Sequence, residues 1–131
     1  MSLPEKLINK FDVVFNHTTL EHVYEVQQAF RNLCMMSRDH LIVVVPFLQE
    51  QHAFYGDYWR MTPLALVNMC KNNDFSPVYI SANDTKSESV YIFLVARRGD
   101  HLPMQKEGNI LHRVLTDRNF FIGKNVIKNG I

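Results

Sequence analysis

Glycine is scarce in this chain: five in 131 residues, at Gly56, Gly99, Gly108, Gly123 and Gly130. No two stand close enough to form a G-x-G turn. Only glycine lets a backbone turn sharply while approaching a ligand, so a Gly-rich phosphate or dinucleotide cradle is excluded within these residues. Charge of either sign is also in short supply. Fourteen Lys and Arg against thirteen Asp and Glu leave a net charge of +1, with no basic stripe for nucleic acid or an anionic membrane. No apolar run reaches the ~18 residues of a membrane span; the strongest, Leu41 to Leu48, is broken by Pro46. No cleavable signal pattern opens the chain, and a cytoplasmic protein is expected. The two cysteines, Cys34 and Cys70, both fall in apolar helical patterns, as buried free thiols in a reducing compartment do.

What is present is enough apolar material, 47% of residues, for one globular core. Phe11 to Phe15 reads as a first strand. Asn16 to Thr19 then forms a polar turn that delivers Glu21-His22 into the start of a helix. Val23, Val26, Phe30, Leu33 and Cys34 recur at spacings of three and four along that helix, one buried stripe. Ser37-Arg38-Asp39 is expected to end it. His40 to Val45 is a β-branched run suited to a strand covered on both faces, with Pro46 as its stop. A loop rich in aromatics follows, from Phe47 to Met61. Thr62-Pro63 then supplies an N-cap and a first-turn proline to a second helix, lined by Leu66, Val67 and Cys70 with Met69 at the margin. Asn73-Asp74 suits the left-handed residue after a helix. Val78 to Ile80 and Ser89 to Ala96 read as an antiparallel hairpin joined by Asn83 to Lys86. The fold class is α/β, in the order strand-helix-strand-helix-strand-strand. Residues 1–98 form the domain and residues 99–131 a C-terminal extension, with one short helix over Asn109 to Asp117.

Three stretches in this order resemble the class I S-adenosylmethionine-dependent methyltransferases: Phe11-Asp12-Val13-Val14…Leu20-Glu21-His22-Val23, then Val45-Pro46-Phe47, then His52…Asp57-Tyr58-Trp59-Arg60-Met61-Thr62-Pro63 with its helix. The resemblance covers about Phe11 to Arg98 and implies the C-terminal half of a Rossmann-like methyltransferase sheet. In that family a Gly-rich turn after the first sheet strand holds the cofactor, and this is what the chain lacks. The expectation is therefore a truncated methyltransferase-like domain unable to bind cofactor or catalyse alone, S-adenosylmethionine being implied by the resemblance only.

The resemblance carries over a cofactor-facing set, Asn16, His17, Leu20, Glu21 and His22, and an acceptor-side set, His52, Tyr55, Asp57, Tyr58, Trp59 and Arg60, with His52 as a candidate base. The acceptor would be a glycan or small metabolite. Read without the family, Asn16 and His17 are a polar strand-end turn, Glu21 favours a helix N-terminus, Asp57 pairs with Arg60, and Tyr58 and Trp59 fill the core. His17, His22 and His52 lack metal-ligand spacing, and with no cysteine or carboxylate to complete a set no metal is expected. A strand cut from its other half presents an unpaired edge at Phe11 to Phe15. That edge predicts a homodimer or a partner chain carrying the Gly-rich half. A non-catalytic interaction or dimerisation module is the alternative to a methyltransferase.

Overall fold

The computed structural model describes residues 3–83, 88–99 and 122. Four strands form one sheet in the order β1-β2-β4-β3. They are β1 (Phe11–His17), β2 (Ser37–Leu48), β3 (Phe75–Ala82) and β4 (Val90–Arg98), with α1 (Val26–Met36) between β1 and β2 and α2 (Pro63–Lys71) between β2 and β3. β1 runs parallel to β2, while β4 is antiparallel to both β2 and β3. The two helical crossovers and the closing hairpin are those read from the sequence. The extension, its expected helix and most of the hairpin turn lie outside the described residues.

Alternation along the strands puts Val14, Leu41, Val43, Val45, Ile80, Ile92 and Leu94 on one buried face. Val26, Phe30 and Cys34 of α1 and Leu66, Val67, Met69 and Cys70 of α2 complete the same core. Each such side chain contributes about 1.5–3 kcal/mol by leaving water. Met69 is thus interior, where a marginal place was expected. Thr62 caps α2 by accepting from the Ala65 N–H at 3.1 Å, and Pro63 occupies the first turn as its sequence predicts. Asp74 takes the left-handed conformation (φ 58°), confirming the tolerant residue after α2.

Several boundaries differ from the sequence reading: β1 runs on through Asn16 to His17 instead of turning at Asn16, β3 spans Phe75–Ala82 and β4 Val90–Arg98, and three more have a clear cause. Glu21 and His22 lie in a single 3-10 turn, Leu20–His22, and α1 begins only at Val26, so Val23 is outside the helix. Ser37-Arg38-Asp39 belongs to β2 rather than to a loop. Arg98 allows this abrupt change by donating to the carbonyls of Cys34 (2.7 Å) and Ser37 (2.6 Å), so the helix end needs no separate turn. Pro46 does not stop β2, which continues to Leu48. The last β1 pair is His17 with Val44, so at Pro46 only β4 is a neighbour and the missing N–H is tolerated.

The other face of β1 is bare. Phe11, Val13 and Phe15 are 44%, 51% and 61% exposed, and among the described residues β1 pairs on one side only, with β2.

Candidate functional site

β1 ends at His17, and the chain turns at once beyond it. Thr18 adopts φ 45°, a conformation that a β-branched residue enters only under constraint. Its N–H donates to the Val44 carbonyl at 2.9 Å, and its hydroxyl lies 2.8 Å from His17 Nδ1. The 3-10 turn then buries Leu20 and Glu21 completely. Both Glu21 carboxylate oxygens are enclosed with no hydrogen-bond partner, and Asn16 Oδ1 is buried in the same condition. In α/β sheets, ligands bind beyond the carboxyl ends of the strands, where this turn lies.

The loop from 49 to 61 closes over it. The Tyr58 N–H donates to the Glu21 carbonyl at 2.7 Å, and Trp59 Nε1 donates to the carbonyls of Val23 (3.0 Å) and Tyr24 (3.2 Å). Arg60 folds the loop on itself. Its donors go to Gln49 O, Glu50 O, Trp59 O and both oxygens of Asp57, which together use all five N–H groups. This guanidinium holds the Asp57 carboxyl well below the usual carboxylate range. Asp57 also accepts from the His52 N–H at 3.0 Å and sits 3.3 Å from His52 Nδ1. The expected Asp57–Arg60 pair is therefore present. The expected burial of Tyr58 and Trp59 is not: they are 50% and 38% exposed. The Trp59 N–H needs an acceptor, which the turn carbonyls supply at the surface and an apolar core could not.

The structure brings Glu21, His22 and His52 together, with one ligand-capable atom of each within 4.8 Å of the others. The His22 and His52 rings meet edge to face at 5.0 Å, and Tyr55 lies 6.0 Å from His22. A shallow cleft of about 320 Å³ lined by Gln51, His52, Ala53 and Phe54 opens beside them. His17 is not part of this group; it pairs with Thr18 and packs near Phe15 on the bare sheet face. The sequence reading saw no carboxylate beside these histidines, whereas Glu21 lies with His22 and His52. The adjacency of Glu21 to His22 was the available signal. What sequence could not supply was the fold of the 49–61 loop onto it.

His22 Nδ1 lies 2.6 Å from the Gly56 carbonyl, which can only accept, so Nδ1 carries the proton there. Gly56 itself is fixed by its φ of 144° and by the Tyr58 ring, which an added Cβ would approach to 2.7 Å. The two cysteines are free and buried, as expected, and burial pushes the Cys34 thiol up to about 12. Neither is a nucleophile. Among the described residues, no helix is long and apolar enough to cross a membrane.

No family model and no curated protein matches this chain. Solved structures do, and they define the fold as class I S-adenosylmethionine-dependent methyltransferase-like over part of its extent. Magnesium protoporphyrin IX methyltransferase from Synechocystis PCC 6803, solved with bound SAH, is 15% identical with a TM-score of 0.55, over 70% of this chain and 46% of that one. The Burkholderia thailandensis 1,6-didemethyltoxoflavin-N1-methyltransferase is 16% identical with a TM-score of 0.55, over 71% and 46%. The [4+2]-cyclase SpnF is 13% identical with a TM-score of 0.58, over 76% and 53%. This chain therefore spans about half the length of these proteins. One fold carries methyl transfer in two of them and a cyclisation in the third, so the fold alone does not assign the chemistry.

Proposed function

We propose that these residues are the second half of an S-adenosylmethionine-dependent methyltransferase-like fold, requiring a Gly-rich half from another polypeptide segment before cofactor binds. The residues present fit one wall of that cofactor: Asn16, His17, Leu20, Glu21 and His22 stand at the carboxyl end of β1, and the buried Asn16 Oδ1 lacks a partner. They do not fit the whole of it, because no G-x-G turn exists to receive the rest. The acceptor side is the 49–61 loop. His52, steadied by Asp57, is its candidate base; Tyr55, Tyr58 and Trp59 offer exposed rings to a glycan or small metabolite. Arg60 organises that loop from within rather than reaching outward, since its donors are spent.

The observation that carries this reading is β1, whose second edge has no partner among the described residues and whose Phe11, Val13 and Phe15 are exposed. Unpaired apolar strands invite another chain, here a second copy or a partner bearing the Gly-rich half. Isothermal titration of the purified chain with S-adenosylmethionine tests it. No heat is expected at millimolar ligand, and micromolar binding by the chain alone would refute the need for a second half. A non-catalytic pairing module is favoured by the same edge. Restored binding upon adding a Gly-rich half would eliminate that alternative.

A further inference from the structure

We propose that Glu21, His22 and His52 form a three-ligand site for a divalent transition-metal ion, zinc first among them. The ligand set is two imidazoles and one carboxylate, which suits zinc, iron or cobalt rather than magnesium or calcium. Four observations converge on it. The donor atoms already lie within 4.8 Å of one another. Glu21 Oε1 is 3.7 Å from His22 Nε2, too long for a hydrogen bond and close to the ~3.4 Å between two ligands of a tetrahedral ion with bonds of ~2.0–2.1 Å.

The third observation is the tautomer of His22. With its Nδ1 proton given to the Gly56 carbonyl, the ring turns Nε2 toward the Glu21 carboxylate. Nε2 thus faces a carboxylate that is fully buried and neither of whose oxygens has a hydrogen bond. Arg60 cannot relieve this by hydrogen bonding, because Asp57 and the loop carbonyls take its donors. A metal cation seated between the two would balance the buried carboxylate.

Fourth, both histidines possess the outer partners that orient metal-bound imidazoles. A backbone carbonyl holds His22 Nδ1, and the Asp57 carboxylate stands 3.3 Å from His52 Nδ1, leaving Nε2 free on each ring. Three protein ligands leave a coordination position for water or for a substrate oxygen. His52 is 39% exposed, so that position has access to solvent. An ion would use the His52 lone pair that a base needs, so the two roles exclude one another. The site does not rest on the methyltransferase reading.

The test is titration of the chelator-stripped 131-residue chain with Zn²⁺ against a chromophoric chelator. One ion per chain with a micromolar or tighter Kd is expected. His52→Ala should weaken binding at least 100-fold, and Asp57→Asn about 10-fold by releasing His52. His40→Ala, a change remote from the cluster, should not alter it. His52 is partly exposed, so its variant is the one least disturbed in folding; matched thermal melts of the metal-free proteins verify that. Glu21→Gln serves as an independent second variant. Zn²⁺ binding weaker than millimolar, or equal in wild type and His52→Ala, would overturn the site.

Discussion

Two charged side chains that leave bulk water, Arg98 and Glu21, are treated oppositely by this fold. Arg98, at the end of β4, gives hydrogen bonds from Nη2 to Cys34 O, Ser37 O and Asn9 Oδ1 and lies 4.8 Å over the Phe75 ring. It sits where the carbonyls of α1 end, the place where a cation is most favourable. Glu21, just past the carboxyl end of β1, is fully buried and neither carboxylate oxygen is bonded. A buried charge bonded to main-chain carbonyls ties elements together. A carboxylate buried without hydrogen bonds costs stability. The difference separates the end of the sheet where Arg98 ties α1 to β2 from the end where β1 runs into the candidate site.

The largest effect should come from breaking the satisfied side. Arg98→Met strips the α1 carbonyls of charge-assisted donors and should lower unfolding free energy by about 3 kcal/mol in urea titrations. A loss below ~1 kcal/mol would mean that water replaces the cap without penalty.

Asp57→Asn comes next, at about 2 kcal/mol, because it releases both Arg60 and His52. Its pH signature is directional. Arg60 depresses the folded-state titration of Asp57, so the stabilisation is complete above the unfolded carboxylate value of ~3.9 and is lost as pH falls below it. Wild type should therefore lose stability more steeply than Asp57→Asn below about pH 4, while the gap between them stays flat from neutral down to that point.

The smallest change is the most informative. Glu21→Gln removes a buried charge that makes no hydrogen bond, so in metal-free protein it should be neutral or stabilising by up to ~1 kcal/mol. Destabilisation by ~2 kcal/mol or more would show that Glu21 is as well satisfied as Arg98, and the contrast would fail. With excess Zn²⁺ the order should reverse, wild type gaining thermal stability and the variant none.

Much of this architecture was legible along the chain. The three-and-four spacing from Val26 to Cys34, the β-branched run after His40 and the Thr62-Pro63 start each carry their own local reason. So does the resemblance to methyltransferases, which rests on contiguous motifs. The misreadings share one cause. Ser37 to Asp39 looked like a helix end, and Pro46 like a strand end, because each was judged against its neighbours in sequence. Arg98, sixty-odd residues later, and the early finish of β1 decide them instead. Tyr58 and Trp59 looked like core because they are large, yet the Val23 and Tyr24 carbonyls draw the indole to the surface.

The sequence by itself determined the element order, the free buried cysteines and the lack of a Gly-rich cradle, since each follows from residue type and local periodicity; that both helices pack on one face of the sheet, rather than one on each, is tertiary. Only the tertiary structure decided that Glu21, His22 and His52 meet. Glu21 and His52 are thirty-one positions apart, and no local propensity joins them. The Tyr58 and Trp59 hydrogen bonds to the turn, with Gly56 in a backbone conformation open to glycine, bring the loop over a carboxylate that the turn had already taken out of water.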